Sequence, residues 1–327
     1  MSLAQRLEYG ALCLLREPFR RLPVATSLSL AARLGTFYAS LGGVRLEFAR
    51  INLRIAFPDW SEARRERVLA ESLANIGRTL AELALIQGRH RSQLLGRVRL
   101  EGLEHLERAR QQSATGGVMV ISAHLGDWEL CGMAAAGQGF PLTVVHRPFA
   151  NPHVEAMVQR WREGSGMQPL ALGRAASGAF RALKRGEYVL MLLDQDAPRE
   201  EAVFADFFGV PAATRSAPAR LAMRAGASVL PVSALRQGRG ADHVVRFESP
   251  LEILGDDPGD RAQLQANVAT MNRALEALVR AAPEQWSWLH RRYRTRPDPD
   301  EPGPYPSRRG VSRPLMPLPP GSNTAHQ

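Results

Sequence analysis

His124 and Glu129 stand five positions apart in the stretch VMVISAHLGDWEL, residues 118 to 130. A carboxylate that holds one imidazole nitrogen leaves the other free to take a proton from an attacking hydroxyl. The pair is therefore a candidate general base with its orienting acid. The spacing imposes a condition. On one straight helix, five residues turn by about 500°, which leaves the two side chains roughly 140° apart and unable to meet. They can meet only if His124 stands on a turn before the helix and the chain folds back. The flanking residues supply such a turn. Val118-Met119-Val120-Ile121 is an apolar run too short for a helix and typical of a buried strand. Ser122 to Gly126 is a small, turn-prone junction. Asp127 to Leu130 reads as a first helical turn, its acids where the helix dipole favours them. The plainer alternative is a helix-start histidine with an incidental acid. Two competing chemistries lack their residues: no serine sits in a G-x-S-x-G elbow, and no H-E-x-x-H is present.

The surrounding elements must position that pair. From about residue 97 short apolar runs alternate with amphipathic stretches. Strands are expected at Val98–Leu100, before His124, at 142–145, 169–172, 188–193 and 228–235, with a possible edge strand at 243–247. Helices are expected at 103–110, 152–163, 175–184, 216–224 and 261–280. This rhythm predicts an α/β fold with a mostly parallel central sheet covered by helices, whose sites sit at the carboxyl ends of the strands. His124, Arg147 and Asp194 all fall there.

Residues 1–95 read as helical. Ser61 is a natural N-cap for a helix running on to Gln87. Leu22 to Val44 carries a single charge, Arg33, and arginines flank it. Its length approaches that of a bilayer span, but Arg33 and the scattered Gly and Ser favour a segment lying in the membrane interface. A core-packed helical hairpin is the alternative. The expected organisation is an N-terminal helical membrane-anchoring region (1–95), an α/β domain (96–297) and a disordered Pro-, Gly- and Arg-rich tail (298–327).

The chain is 45% hydrophobic and 23% charged, which excludes wholesale disorder. Its net charge is +10, nearly all of it from arginine, and fits an anionic membrane surface or a phosphorylated or acyl-carrier substrate. Nucleic acid is not expected, because zinc-finger spacing and an aromatic stripe are both missing. Two cysteines in apolar stretches make a disulfide framework or a thiolate metal site improbable.

Beyond AHLGDWE, several stretches are similar in order and spacing to one family. They are Asn52-Leu53-Arg54-Ile55-Ala56-Phe57-Pro58, Val145-His146-Arg147-Pro148 with Asn151, Leu193-Asp194-Gln195, Phe207-Phe208-Gly209 with Thr214, and Gln285 to Arg292. Over residues 5 to 297 the chain resembles the HtrB-like lipid A biosynthesis (lauroyl/myristoyl) acyltransferase family of the glycerolipid acyltransferase superfamily. The resemblance implies transfer of a fatty acyl chain from acyl carrier protein or coenzyme A to a hydroxyl of a glycolipid, most simply a lipid A precursor. It implies no bound cofactor and no metal, and a place on the cytoplasmic face of the cell inner membrane, peripheral or single-pass. His124 would be the base and Glu129 its partner. Arg147 or backbone N–H groups would serve the oxyanion, and Arg162 and Arg215 would contact phosphate or the carrier, or else be solvated helix or loop arginines. Asp194 would position substrate, or else cap a loop. Phe207 and Phe208, on a loop with Thr214 nearby, would wall an acyl channel or pack beneath the loop. The cluster Trp286 to Arg294 would set tryptophans inward and arginines outward. Position 127 departs from the branch, which commonly has Asn there. Two alternatives stand beside this reading: the same chemistry on another acceptor (a phosphatidylinositol mannoside, an ornithine lipid or a lysophospholipid), and a degenerate scaffold that only binds membrane surfaces.

Overall fold

The computed structural model describes residues 2–306. Five helices come first: α1 (Leu3–Arg21), α2 (Val24–Ser40), α3 (Val44–Ala56), α4 (Glu62–Leu85) and α5 (Arg91–Leu95). The alternation then begins with β1 (Val98–Glu101), α6 (Leu103–Gln112), β2 (Val118–Ser122), α7 (Trp128–Gly137), β3 (Leu142–His146) and α8 (Pro152–Glu163). It continues through β4 (Gln168–Ala171), α9 (Ala175–Lys184), β5 (Tyr188–Leu192), β6 (Ala202–Phe207) and β7 (Val210–Arg215). The chain closes with α10 (Ala217–Ala225), β8 (Ser228–Gln237), β9 (Asp242–Phe247) and α11 (Arg261–Ala281).

Seven strands form one sheet in the order β1-β9-β8-β2-β5-β3-β4. Every pairing in it is parallel except β8 with β9. All five residues of β2 are buried, as an inner strand covered on both faces requires. β9 lies between β1 and β8 and is no edge; β1 and β4 are the edges. The stretch read as a loop around Phe207 is an antiparallel hairpin, β6–β7. Its two turn residues, Phe208 and Gly209, both have positive φ, 53° and 71°. A bulky residue rarely adopts that conformation. Phe208 is held in it by its N–H, which donates to Glu276, and by its ring, which packs edge-on against Phe57 and Phe207.

The helical N-terminus and the α/β part share one core. Leu46, Leu53, Leu69 and Leu73 pack in the same cluster as Met119, Ile121 and Val189. Polar ties reinforce the union: the Asn52 amide donates to the carbonyls of Trp288 and His290, and the Ser72 hydroxyl to that of Trp286. Ser61 caps α4 through the Arg64 N–H. α2 lies close against α4: a Cβ on Gly35 would stand 2.1 Å from the Leu73 carbonyl oxygen, and one on Gly77 would stand 2.2 Å from that of Ala31. One face of α2 (Ser27, Leu28, Ala31, Ala32) is buried there, while Leu30, Leu34, Phe37 and Leu41 are exposed. Among the described residues no helix is long and apolar enough to cross a membrane. Of the expected tail, 298–306 carry no helix or strand, yet Tyr305 packs edge-on against Phe48 and donates from its hydroxyl to Asn52 Oδ1 at 2.5 Å. The rest of the tail lies outside the described residues.

Candidate active site

β2 and β5 are parallel neighbours, with Ser122 opposite Leu192. Two residues beyond each lie His124 and Asp194, so the register of the sheet carries them to the same carboxyl-end crevice. His124 Nδ1 stands 2.9 Å from Asp194 Oδ1. The other carboxylate oxygen accepts the His124 backbone N–H at 2.9 Å and the Trp286 indole N–H at 2.7 Å. Burial alone would raise the Asp194 pKa, but the imidazole's charge and these donors pull it down to about 2. An ionised carboxylate only accepts, so Nδ1 must carry the proton and Nε2 is left as the basic nitrogen. For His124, burial works against the charged form. The charge and hydrogen bond of Asp194, with the charge of Glu129, outweigh it and hold the imidazole above its ordinary range.

The expected partner, Glu129, lines the same cavity, but its carboxylate is taken by Arg162 and makes no hydrogen bond to His124. Glu129 stands in the first turn of α7 and receives two N–H groups of Arg162 from α8, one at 3.1 Å from Nε and a closer one from Nη2. The pairing of His124 with Glu129 is thus corrected to His124 with Asp194, and Arg162 is an internal counter-ion. The physical reason is direction: α7 aims Glu129 at α8, whereas the His124 ring lies toward β5. Arg162 Nη1 is buried and has no protein partner among the described residues.

Asp127 caps α7 through the Leu130 N–H at 2.9 Å and is fully buried. Behind it, Glu82 of α4 receives both ends of the Arg236 fork and the Nε2 of His243 at 3.1 Å. Burial, followed by the charge of Glu82, drives the Asp127 carboxyl well above the usual range, while Arg236 and His243 hold Glu82 at about 2 despite its burial. Its second carboxyl oxygen, Oδ2, is buried and has no hydrogen-bond partner among the described residues. Glu82, Asp127 and His243 have ligand-type atoms within 4.8 Å of one another, but Arg236 already occupies both Glu82 oxygens. The loop between is tight: Gly126 has φ 66°, and a Cβ there would lie 1.8 Å from the Ala234 carbonyl oxygen.

A cavity of about 850 Å³ opens over the dyad. Val144, Leu190, Leu192, Trp161 and Met167 line an apolar part, and Arg45, Arg147, Arg215 and Arg291 bring charge. Arg147 is exposed, and Arg215 is paired with Glu201. Burial and the nearby Arg147 lower the Arg215 pKa. Phe207, Phe208 and Thr214 do not line this cavity. Phe207 and Phe208 are buried beside Phe57, Trp286 and Trp288, and Thr214 lies between Arg292 and Asn272. Arg292, expected outward, is fully buried and donates to the Gln195 and Ala213 carbonyls and the Thr214 hydroxyl. Trp286 and Trp288 are buried, as expected.

The family model for bacterial lipid A biosynthesis acyltransferases matches residues 11–295. The chain belongs to that family. It is 31% identical over 278 residues to the lipid A biosynthesis palmitoleoyltransferase of Escherichia coli (strain K12), covering 85% of this chain and 88% of the relative. It is 28% identical over 279 residues to the lauroyltransferase of the same strain, with 85% and 88% covered. For that strain's myristoyltransferase it is 28% over 276 residues, with 84% and 83% covered. Sequence reasoning on this family member did not assign Trp286 to the Asp194 carboxylate. A buried indole N–H needs an acceptor, which was the available signal. It also left out Gln195, whose amide nitrogen is 3.3 Å from His124 Nε2, and Trp128, whose ring stands edge-on to His124 at 4.8 Å. His290 also borders the cavity. Burial lowers its pKa to about 4, so it is neutral.

Proposed function

We propose that the protein transfers a fatty acyl chain from a carrier thioester, most simply acyl carrier protein, to a hydroxyl of a lipid A precursor. His124 Nε2 takes the hydroxyl proton as the oxygen adds to the thioester carbonyl. Nδ1–H stays on Asp194, which stabilises the imidazolium. Collapse of the tetrahedral intermediate breaks the C–S bond, and the imidazolium returns the proton to the departing thiolate. Arg147 and the Gln195 amide are the donors assigned to the oxyanion. Glu129 and Arg162 fix α7 and α8 around the reacting centre. The arginines of the rim suit a phosphorylated acceptor. The exposed leucines of α1 and α2, with the neighbouring arginines, suit docking on an anionic bilayer surface.

The observation that carries this reading is the oriented His124–Asp194 dyad opening on a cavity with both an apolar and a cationic part. The test is direct. Purified protein is incubated with an acyl carrier protein thioester and a lipid A precursor, and the lipid product is weighed by mass spectrometry. The mass is expected to rise by one acyl chain with wild type and to stay unchanged with a folded His124→Ala variant. Full transfer by that variant would refute the mechanism.

A further inference from the structure

His290 lines the same cavity as His124, Arg147 and Gln195, and the mechanism above gives it no part. Its backbone is tied from several sides. Leu125 and Trp286 form an antiparallel bridge, and the Ser287 N–H donates to the His124 carbonyl at 3.0 Å. The Asn52 amide donates to the His290 carbonyl at 2.7 Å. The Arg292 backbone N–H donates to that carbonyl too, at 3.1 Å, and the buried Arg292 guanidinium donates to the Gln195 carbonyl at 3.2 Å. The segment thus fixes His290 against the dyad on one side and against Gln195 on the other. The ring has different surroundings. Nδ1 is buried with no hydrogen-bond partner among the described residues, and Nε2 is the ring nitrogen left to the cavity. The Asp194 carboxylate is committed to His124. Burial, with the charges of His124, Arg292 and Arg294, outweighs the pull of Asp194 and holds the His290 pKa at about 4.

We infer that His290 is a catalytic residue whose Nε2–H donates to the thioester carbonyl oxygen as that oxygen becomes an oxyanion. The inference rests on the acyl-transfer reading above and adds a neutral donor to it. The tautomer follows from burial. A proton on Nδ1 would have nothing to donate to, so the neutral ring carries it on Nε2. A neutral imidazole polarises a carbonyl without acting as an acid. A second imidazolium beside His124 would oppose the charge that His124 takes up as the base. When the acceptor oxygen adds to the carbonyl carbon, the C=O π pair moves onto the carbonyl oxygen, which accepts from Nε2–H. When the carbonyl reforms, the C–S bond breaks and the thiolate takes its proton from His124. His290 gives up no proton at either step. A donor held in place beforehand needs no rearrangement as the charge develops, and the ties on its backbone supply that condition.

The test measures kcat and KM for wild type and His290→Ala with two acyl carrier protein donors of one chain length. One is the ordinary thioester. The other is its dithioester, in which sulfur replaces the carbonyl oxygen. His290→Ala is expected to lower kcat for the thioester by roughly 10²–10³-fold, with KM within about twofold of wild type. Sulfur is a weak hydrogen-bond acceptor, so the same substitution should cost the dithioester less than about tenfold. A merely structural role would lower both donors alike. If His290→Ala does not fold, His290→Phe, which keeps the bulk of a ring without a donor, is read in the same way. Equal losses on the two donors, a change confined to KM, or an unchanged kcat overturns the inference and leaves the acyl-transfer reading standing. Absence of transfer by wild type from the thioester is the separate failure of that reading.

Discussion

The tautomer of His124 is dictated by Asp194, and the pH dependence of catalysis should report it. In the proposed mechanism His124 acts as a base when neutral, and its pKa is raised. The acid limb of kcat/KM is therefore expected above the ordinary imidazole value of 6.5. Asp194→Asn removes the charge that raises it, so the limb should move to lower pH while kcat falls by roughly 10²–10⁴-fold. A pH–rate profile that keeps its limb in that variant would show that Asp194 does not hold the base. Asp127 makes the opposite demand. In the unfolded chain its carboxyl ionises near 3.8, but in the fold burial and the charge of Glu82 raise its pKa well above that. Its contribution to stability is thus fully present below 3.8 and is lost as pH rises toward the elevated folded value. Asn makes the same cap and donates without ionising. Thermal unfolding of Asp127→Asn, followed from about pH 4 to about pH 8, should show the variant gaining on wild type as pH rises. Parallel curves would refute a neutral Asp127.

At the scale of elements, the motif acid Glu129 ties α7 to α8 through Arg162, with both side chains nearly buried. Removing one partner of a buried pair leaves an uncompensated charge and costs about 3–5 kcal/mol. Glu129→Ala and Arg162→Ala should each lose stability on that scale and activity with it. The double variant should lose far less than the sum of the two singles. Strict additivity in a double-mutant cycle would show that the pair is not a unit. The elements themselves were largely legible in the sequence. α8 and α9 begin and end where the pattern set them, because Asn151 caps α8 and Pro152 opens it. The hairpin β6–β7 was not legible, since Phe208-Gly209 lacks the small polar first residue that marks such a turn. β9 read as an edge because, although β8 directly precedes it, its second partner β1 lies far back in the sequence. The dyad was half legible. His124 announced itself, but Asp194 is 70 residues away and reaches it only through strand register, which periodicity does not encode.

At the scale of the whole molecule, Leu3, Leu7, Leu14 and Leu15 of α1 and Leu34 and Phe37 of α2 are exposed while the other face of α2 is packed. The expected spanning-or-lying segment is thus a half-buried helix with an apolar face left open. Burying one leucine in a membrane interface contributes on the order of 1.5–3 kcal/mol. Replacing Leu7, Leu14 and Leu15 by Ser should weaken flotation with anionic vesicles by tenfold or more, with turnover of a soluble short-chain thioester unchanged. Undiminished flotation would remove α1 from the membrane contact. The same molecule closes on itself at its far end. The Ser287 N–H donates to the His124 carbonyl, the Gly126 N–H donates to that of Gln285, and Asn52 grips the carbonyls of Trp288 and His290. Synthesis runs from the N-terminus, so a growing chain already carries the base and its acid long before Trp286 exists to hold the acid in place. Any product ended early, or clipped ahead of that tryptophan, lacks the strap beneath the dyad. Under the proposed mechanism such a product keeps both members of the dyad but lacks one of the two N–H donors that hold the free Asp194 oxygen.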